Sequence, residues 1–175
     1  LNAGGTLEAN RLYMTLGAAA QASGNHSLHV NFDGGTLKAG VTGNLIDTES
    51  YSTGVINVTV KSGGAVIDTN GKTVAILQPV LHDAGLGATP DGGLTKNGAG
   101  TLINSLANTY SGPTTINEGT LSLSQPNTGN DDSIVTIAFG ATLDLNFVGT
   151  DTVDKLFIGT MQKSAGVYKA IGSAA

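Results

Sequence analysis

The side chains of this chain that could do chemistry are thirteen acidic residues and three histidines, and their spacing favours structural roles. A glycan-cleaving site needs two or three carboxylates, or a carboxylate and a base, converging on one face. Adjacent acidic residues on a strand point to opposite faces, and a short carboxylate at a corner bonds to nearby backbone amides. We therefore predict no catalytic residues. The acidic residues at predicted turns and corners are Asp33, Asp68, Asp91, Asp131, Asp132, Asp151 and Asp154.

The histidines do not form a metal-binding pattern. His26, His29 and His82 could share a metal only if the fold brought them together, and the first two would lie on opposite sides of a strand. We interpret all three as solvated. Calcium at Asp131–Asp132 or at Asp68–Asn70 stays an alternative, although the glycine-aspartate nonapeptide of calcium-binding β-rolls is absent. The prediction is therefore no metal and no cofactor.

Two glycine-containing stretches only superficially match nucleotide-binding loops. Gly71-Lys72-Thr73 ends like a phosphate-binding loop, but Val66 stands where that loop needs its first glycine. Gly85-Leu86-Gly87 lacks the third glycine of a dinucleotide fingerprint, because Pro90 occupies that position. Neither stretch predicts a nucleotide site.

Composition indicates a single exported β-domain over residues 1–175. Glycine accounts for 26 residues and charged residues for 12% of the chain, about twice and about half of average usage. The net charge of −5, with Arg11 the only arginine, argues against binding of nucleic acid. No apolar run reaches the ~18 residues of a membrane span. The absence of cysteine excludes disulfides and is typical of a chain that is exported unfolded.

Glycine corners recur along the chain at a nearly constant interval. The pairs Gly4-Gly5, Gly34-Gly35, Gly63-Gly64 and Gly92-Gly93 follow one another at roughly 30 residues, within the range of solenoid repeats. Corners at Gly119 and Gly140 follow at shorter intervals. Between the corners, polar and apolar residues alternate with the period of two that is typical of half-buried strands. A repeat built from strands and corners predicts a solenoid, in which stacked coils bury a common core.

Three segments interrupt this alternation. Asn10–Gln21 has apolar residues at helical spacing and predicts either a capping helix or a loop. Val41–Gly54 and Pro79–Gly93 are polar or rich in turn residues, and both predict lateral loops. A last strand is expected to begin at Gly166-Val167-Tyr168.

The central stretch resembles the autotransporter-associated β-strand repeat of bacterial autotransporter passenger domains. The likeness rests on three runs: Gly93 to Leu102 (GLTKNGAGTL), Asn108 to Gly112 (NTYSG), and Thr114 to Leu121 (TTINEGTL). The chain departs from the family pattern at Asn104, where an apolar residue is usual, and at Leu106, near a usual glycine. The resemblance implies an all-β, right-handed parallel β-helix, exported and displayed outside the cell. With coils of roughly 29 residues, as is usual for such repeats, the chain corresponds to about six coils.

These observations predict a structural module rather than an enzyme. We expect an extracellular or outer-surface β-solenoid acting as a spacer, fibre subunit or adhesive surface, with a surface or glycan ligand possible in principle. The alternative is a glycan-active β-helix enzyme, a polysaccharide lyase or hydrolase. Solenoid ends expose unpaired backbone groups, which predicts a homo-oligomer formed by end-to-end stacking. Because the sequence begins in mid-pattern at Leu1, we interpret the chain as a processed piece of a longer precursor. We expect no nucleic-acid partner and no membrane insertion by this segment.

Overall fold

The computed structural model describes residues 1–14, 26–48, 55–126 and 131–168, and every structural statement below concerns these residues. They form seventeen β-strands and one short 3₁₀ turn at Ala84–Leu86. None of them forms a helix long and apolar enough to span a membrane. The all-β class predicted from the sequence is therefore confirmed.

The strands form three sheets in which all pairings are parallel except the last, between β16 and β17. The chain visits the sheets in a fixed order, so neighbouring strands in a sheet come from successive circuits, here called coils. The eight-stranded sheet holds β1 (Thr6–Ala9), β4 (Thr36–Ala39), β7 (Ala65–Asp68), β10 (Leu94–Asn97), β12 (Thr114–Ile116), β14 (Ile134–Ile137), β16 (Lys155–Ile158) and β17 (Met161–Gln162). The six-stranded sheet holds β2 (Leu12–Met14), β5 (Gly43–Thr48), β8 (Thr73–Ile76), β11 (Thr101–Asn104), β13 (Thr120–Leu123) and β15 (Thr142–Leu145). The three-stranded sheet holds β3 (Ser27–Phe32), β6 (Val55–Val60) and β9 (Val80–His82).

The coils change length where the three-stranded sheet ends. Before that point, Leu37 pairs with Ile67 and Ala65 pairs with Leu94 in the eight-stranded sheet. After it, Leu94 pairs with Thr114, and Thr114 pairs with Val135, so the sequence interval between register partners is about a third shorter. The early coils therefore cross three sheets and the later ones two. Gly119 and Gly140 precede β13 and β15 of the six-stranded sheet and are one two-sheet coil apart, whereas Gly93 precedes β10 and faces Gly112 in the next coil.

In-register stacking places side chains in inward files that run through the coils. Aliphatic residues dominate these files, and each buried one contributes about 1.5–3 kcal/mol. Four files contain a polar residue near the change of coil length. The buried inward residues around these positions are Phe32, Leu37, Ile46, Val60, Ala65, Ile67, Ile76, Leu94, Ile116, Leu123 and Val135. The polar members are His82, Lys96, Asn104 and Thr114.

The predicted loop over Val41–Gly54 is wrong over residues 43–48, which form β5. The register between β5 and β8 shifts between Asn44 and Ile46, so Leu45 is an extra residue and both Leu45 and Ile46 are buried. This bulge breaks the alternation on which the sequence interpretation depended. The strand also carries the buried Asp47, whose carboxylate accepts hydrogen bonds from Arg11 at 2.6 and 2.8 Å.

Three other predicted segments also differ. The loop over Pro79–Gly93 contains β9, a strand too short to show a period. Within Asn10–Gln21, residues 12–14 form β2 rather than a helix, and the remainder from residue 15 lies outside the described residues. Gly166–Tyr168 is not a strand: Val167 and Tyr168 are exposed, and Met161–Gln162 turns back to pair with β16 instead.

Close backbone approach between coils explains why particular corners need glycine. Gly93 has a φ of +72°, and a Cβ there would overlap the carbonyl oxygen of Pro113 in the next coil. Gly71 has a similar φ of +75° but open space around it. Gly93 is therefore constrained by both conformation and packing, whereas Gly71 is constrained by conformation alone.

We predict that Leu121→Ala lowers the free energy of unfolding by roughly 2–5 kcal/mol, because Leu121 is fully buried in an inward file. Ser122 faces outward, but it is also buried and donates a hydrogen bond to Asp144 at 2.8 Å. Ser122→Ala should therefore cost about 1 kcal/mol rather than nothing. Urea titrations of both variants measure this difference, and equal losses would contradict the assignment of faces.

Candidate functional site

The densest group of polar side chains lies where the three-stranded sheet stops, at the exposed edge of β9. The next coil has no strand there, but its residues 108–110 form hydrogen bonds with the backbone N–H and C=O groups of β9. The Val80 N–H donates to Asn108 Oδ1 at 2.9 Å, and the Val80 carbonyl accepts from the N–H groups of Thr109 at 2.9 Å and Tyr110 at 3.3 Å. The His82 N–H donates to Thr109 Oγ1 at 3.2 Å. Side chains and a loop thus replace the missing strand.

The departure from the family pattern at Asn104 belongs to this edge. Asn104 is buried in an inward file, and its Nδ2 donates to Asn108 Oδ1 at 3.0 Å, while its Oδ1 accepts from the Leu106 N–H at 3.2 Å. An apolar residue at 104 would leave Asn108 without this donor. Leu106, in place of the usual glycine, is 40% exposed.

Asp91 is the centre of the cluster. Its side chain is fully buried, and it accepts backbone hydrogen bonds from Gly93, Ser111 and Gly112, each at 2.9 Å. Gly93 belongs to its own coil, whereas Ser111 and Gly112 belong to the next. One carboxylate therefore joins two coils at the corner where the chain skips the third sheet. The sequence prediction of a corner carboxylate on backbone amides is confirmed at Asp91.

His82 completes the cluster, and the prediction that it is solvated is wrong. Its Nδ1 lies 2.8 Å from Asp91 Oδ2 and 3.0 Å from Ser111 Oγ, and its Nε2 lies 3.1 Å from the Gly87 carbonyl oxygen. The hydrogen bond with Asp91 raises the pKa of His82 above its ordinary value, with smaller contributions from Gly87 and Asp83, while burial opposes the shift. We define Asp91, His82 and Ser111 as the Asp91 cluster.

The Asp91 cluster has the residue types of a catalytic triad without its geometry. In a triad, the acid and the nucleophile contact opposite nitrogens of the imidazole. Here Asp91 and Ser111 both face Nδ1, and Nε2 is occupied by a backbone carbonyl. Ser111 Oγ also accepts from the Asp91 N–H at 3.1 Å. Asp91 and Ser111 therefore share one nitrogen of the ring, so the three side chains lack the acid–histidine–nucleophile order of a triad, and Asp91 binds backbone amides instead.

A second polar site lies inside the core at Lys96. The side chain is fully buried, and the three N–H groups of Nζ are shared among four oxygens: Thr69 Oγ1 at 3.0 Å and the carbonyls of Asn97 at 3.0 Å, Gly98 at 2.7 Å and Glu118 at 3.1 Å. These oxygens belong to three successive coils. Burial lowers the pKa of Lys96 to about 8, although Asp68 and Glu118 act in the opposite direction.

Tyr110 fills the interior beside the Asp91 cluster. Its side chain is fully buried, and its hydroxyl lies 2.7 Å from Thr114 Oγ1. Burial raises the pKa of this phenol above its ordinary value. Thr114 is the polar member of its inward file, so the tyrosine hydroxyl and the threonine satisfy one another. Tyr110 is therefore a packing residue that replaces the apolar contacts of the absent third sheet.

The structure places the other predicted residues apart from this cluster. Asp33 accepts from the Gly63 N–H at 2.8 Å and Asp68 from the Asn70 N–H at 2.7 Å, as corner carboxylates should. Asp154 pairs with Lys155 at 2.8 Å, and Asp131 is exposed. Throughout the described part of the chain, no three histidine or acidic side chains are arranged to hold a metal ion.

Sequence reasoning missed Lys96, the asparagine pair and the contacts of His82 and Ser111. Strand alternation contained a signal for the first two: Leu94-Thr95-Lys96 and Leu102-Ile103-Asn104 place a polar residue in each inward file. Ser111 and Asp91 are far apart in the sequence, and no local pattern links them.

One stretch of the chain matches a known family. Residues 94–123 match the model of the passenger-associated-transport-repeat, which confirms the resemblance of this stretch to an autotransporter passenger repeat. The match spans β10 to β13 and includes Lys96, Asn104, Asn108 and Tyr110. Comparisons of the chain with curated proteins and with solved structures returned no match.

We predict that Lys96→Met lowers the free energy of unfolding by about 2–4 kcal/mol at pH 7, since it removes the donor from four buried oxygens while keeping the volume. Between pH about 8 and the ordinary Lys pKa of 10.5, the unfolded chain holds the Lys96 proton and the folded chain does not. Wild-type stability should therefore rise with pH in this window relative to the variant. Urea titrations at pH 7, 8 and 10 measure both effects. A pH-independent difference would contradict the pKa assignment.

Proposed function

We propose that this chain is a structural β-solenoid module of an exported passenger protein, displayed outside the cell as a spacer, fibre subunit or adhesive surface. The observation that carries the proposal is that the Asp91 cluster and the Lys96 site both form hydrogen bonds between successive coils. In the described residues, no buried side-chain nitrogen or oxygen lacks a hydrogen-bond partner. The passenger repeat at residues 94–123 supports export to the surface.

The proposal extends to the shape of the module. We infer a right-handed solenoid of about six coils, in accord with the seven successive parallel strands from β1 to β16 in the eight-stranded sheet. With strands ~4.8 Å apart, such a stack is about 30 Å long. Its outward surface carries a file of threonines, interrupted at Val66, beside a second outward file that begins with Glu8, Lys38 and Asp68. The threonines of this file are Thr6, Thr36, Thr95, Thr115 and Thr136.

The proposal includes the absence of catalysis on glycans. The Asp91 cluster is the strongest candidate for an active site, and its donors and acceptors are engaged with the backbone. We predict no release of reducing or unsaturated ends from pectic or related acidic glycans. Release by the purified chain that disappears in His82→Gln, but persists in the exposed control His29→Gln, would instead support the alternative of a glycan-active enzyme.

End-to-end association of identical chains is the proposed mode of assembly. Inward residues are less covered toward both ends: Leu7 is 40% exposed, and Leu143, Leu145 and Leu156 are only half-buried. The terminal strands of the six-stranded sheet, β2 and β15, have one unpaired side each among the described strands. At the C-terminal end of the eight-stranded sheet, β17 lies antiparallel on β16. Strand addition through the six-stranded sheet is therefore the geometry we favour.

We predict that the chain forms oligomers at high concentration and that Leu7→Lys reduces them, because it puts a charge into the apolar centre of one end. The matched control is Thr6→Lys, which adds the same charge one residue away on the outward face. Analytical ultracentrifugation at several concentrations, with electron microscopy, measures assembly. A wild-type chain that stays at 17.5 kDa at every concentration would overturn the proposal.

A further inference from the structure

The ring of His82 faces two groups that can only accept, and one hydroxyl. The hydroxyl, Ser111 Oγ, lies 3.0 Å from Nδ1, accepts from the Asp91 N–H and donates its own proton to Asp91 Oδ2 at 3.3 Å. Nδ1 lies 2.8 Å from a carboxylate oxygen of Asp91, and Nε2 lies 3.1 Å from the Gly87 carbonyl oxygen. Neither oxygen can donate a proton, because Asp91 accepts three backbone hydrogen bonds as an ionised carboxylate and a carbonyl only accepts. A neutral imidazole has one N–H and can satisfy one of the two. Only the imidazolium satisfies both.

The two acceptors of the ring belong to different parts of the molecule, one buried and one exposed. Asp91 is fully buried and anchored to two coils. Gly87 is exposed and follows the 3₁₀ turn at Ala84–Leu86. Among the described residues, the other attachments of this loop lie at its start or within its own turn. Asp83 donates its N–H to the Val60 carbonyl at 3.1 Å and forms an ion pair with Lys61 at 3.4 Å. The turn itself has hydrogen bonds from the N–H groups of Gly85, Leu86, Gly87 and Thr89. The histidine therefore links a rigid corner to an exposed loop.

We propose that His82 is a proton-dependent latch for the loop of residues 83–89. With His82 protonated, the ring bonds to Asp91 and Gly87 together and holds the loop against the end of the three-stranded sheet. When His82 loses its proton, the remaining N–H stays with the carboxylate of Asp91, which is the stronger acceptor. The lone pair of Nε2 then faces the lone pairs of the Gly87 carbonyl, and the loop is released.

The charges around the ring agree with this assignment. Asp91 and Asp83 both favour the protonated ring, and Lys61, after β6, is paired with Asp83. On the following coil, Ser111 is uncharged, and the hydroxyl of Tyr110 is directed to Thr114. The pKa of His82 is raised, so the latched form is present below the ordinary value of 6.5 and is lost as the pH rises through the folded-state value. The loop should thus be closed in mildly acidic surroundings and open in alkaline ones.

Amide hydrogen exchange followed by NMR tests the latch, with rates corrected for the intrinsic pH dependence. Protection of the Leu86, Gly87 and Thr89 amides should fall about tenfold or more between pH 5.5 and 8.5, as expected for loss of one charge-assisted hydrogen bond. In His82→Gln these amides should show no such pH step. The exposed control His29→Gln should keep the wild-type profile.

Two results would overturn the latch. One is a pH step in loop protection that persists in His82→Gln. The other, measurable on the wild-type chain without any variant, is a titration of the ring resonances in which the pKa of His82 is at or below the ordinary value of 6.5. The outcome is independent of the proposed structural function, since a passenger module with an unlatched loop would still lack catalysis and still assemble.

Discussion

Parallel, in-register stacking of backbone is the interaction on which this structure depends. Each strand hydrogen-bonds to the strand one coil earlier and one coil later, so every coil must present its amides and carbonyls where its neighbour needs them. The same register puts side chains into files, and an inward file is buried along its whole length. A coil that omits a strand therefore leaves a row of backbone groups unpaired at the surface.

The change from three sheets to two creates this problem at β9. Two side chains of the next coil take the place of backbone carbonyls: Asn108 Oδ1 accepts from the Val80 N–H, and Thr109 Oγ1 accepts from the His82 N–H. At the neighbouring corner, the carboxylate of Asp91 accepts hydrogen bonds from three backbone N–H groups, since its two oxygens have enough lone pairs for all of them. This geometry accounts for Asp91, Asn108 and Thr109. They are the residues that let a smaller coil follow a larger one.

The sequence predicted the features that repeat and missed those that occur once. The alternation over Leu28–Phe32 and the glycine corners specify faces and bends through local chemistry, and the structure agrees with both. β5 was missed because its bulge at Leu45 disrupts the period, and β9 because three residues are too few to show one. The partners of Asp91 could not be predicted, because Ser111 reaches it only after the chain shortens its coil, and that shortening is a tertiary property.

The unequal coils also constrain how such a module can be continued. A coil added before β1 meets three sheets, whereas a coil added at the C-terminal end meets the edges of two, β17 in the eight-stranded sheet and β15 in the six-stranded sheet. Identical chains stacked end to end would therefore match in the six-stranded sheet and meet the antiparallel β17 in the eight-stranded sheet. They would leave the first strand of the three-stranded sheet, β3, without a partner from the next chain. That unpaired strand is longer than β9, with six residues against three, so the closure by asparagine and threonine seen at β9 would cover only half of it. Association through the six-stranded sheet alone avoids the strand β17 but gives up most of the backbone hydrogen bonds of a full coil. For this reason, the association between identical chains should be weaker than the stacking of coils within a chain. A tighter contact requires a neighbouring coil that crosses the same number of sheets.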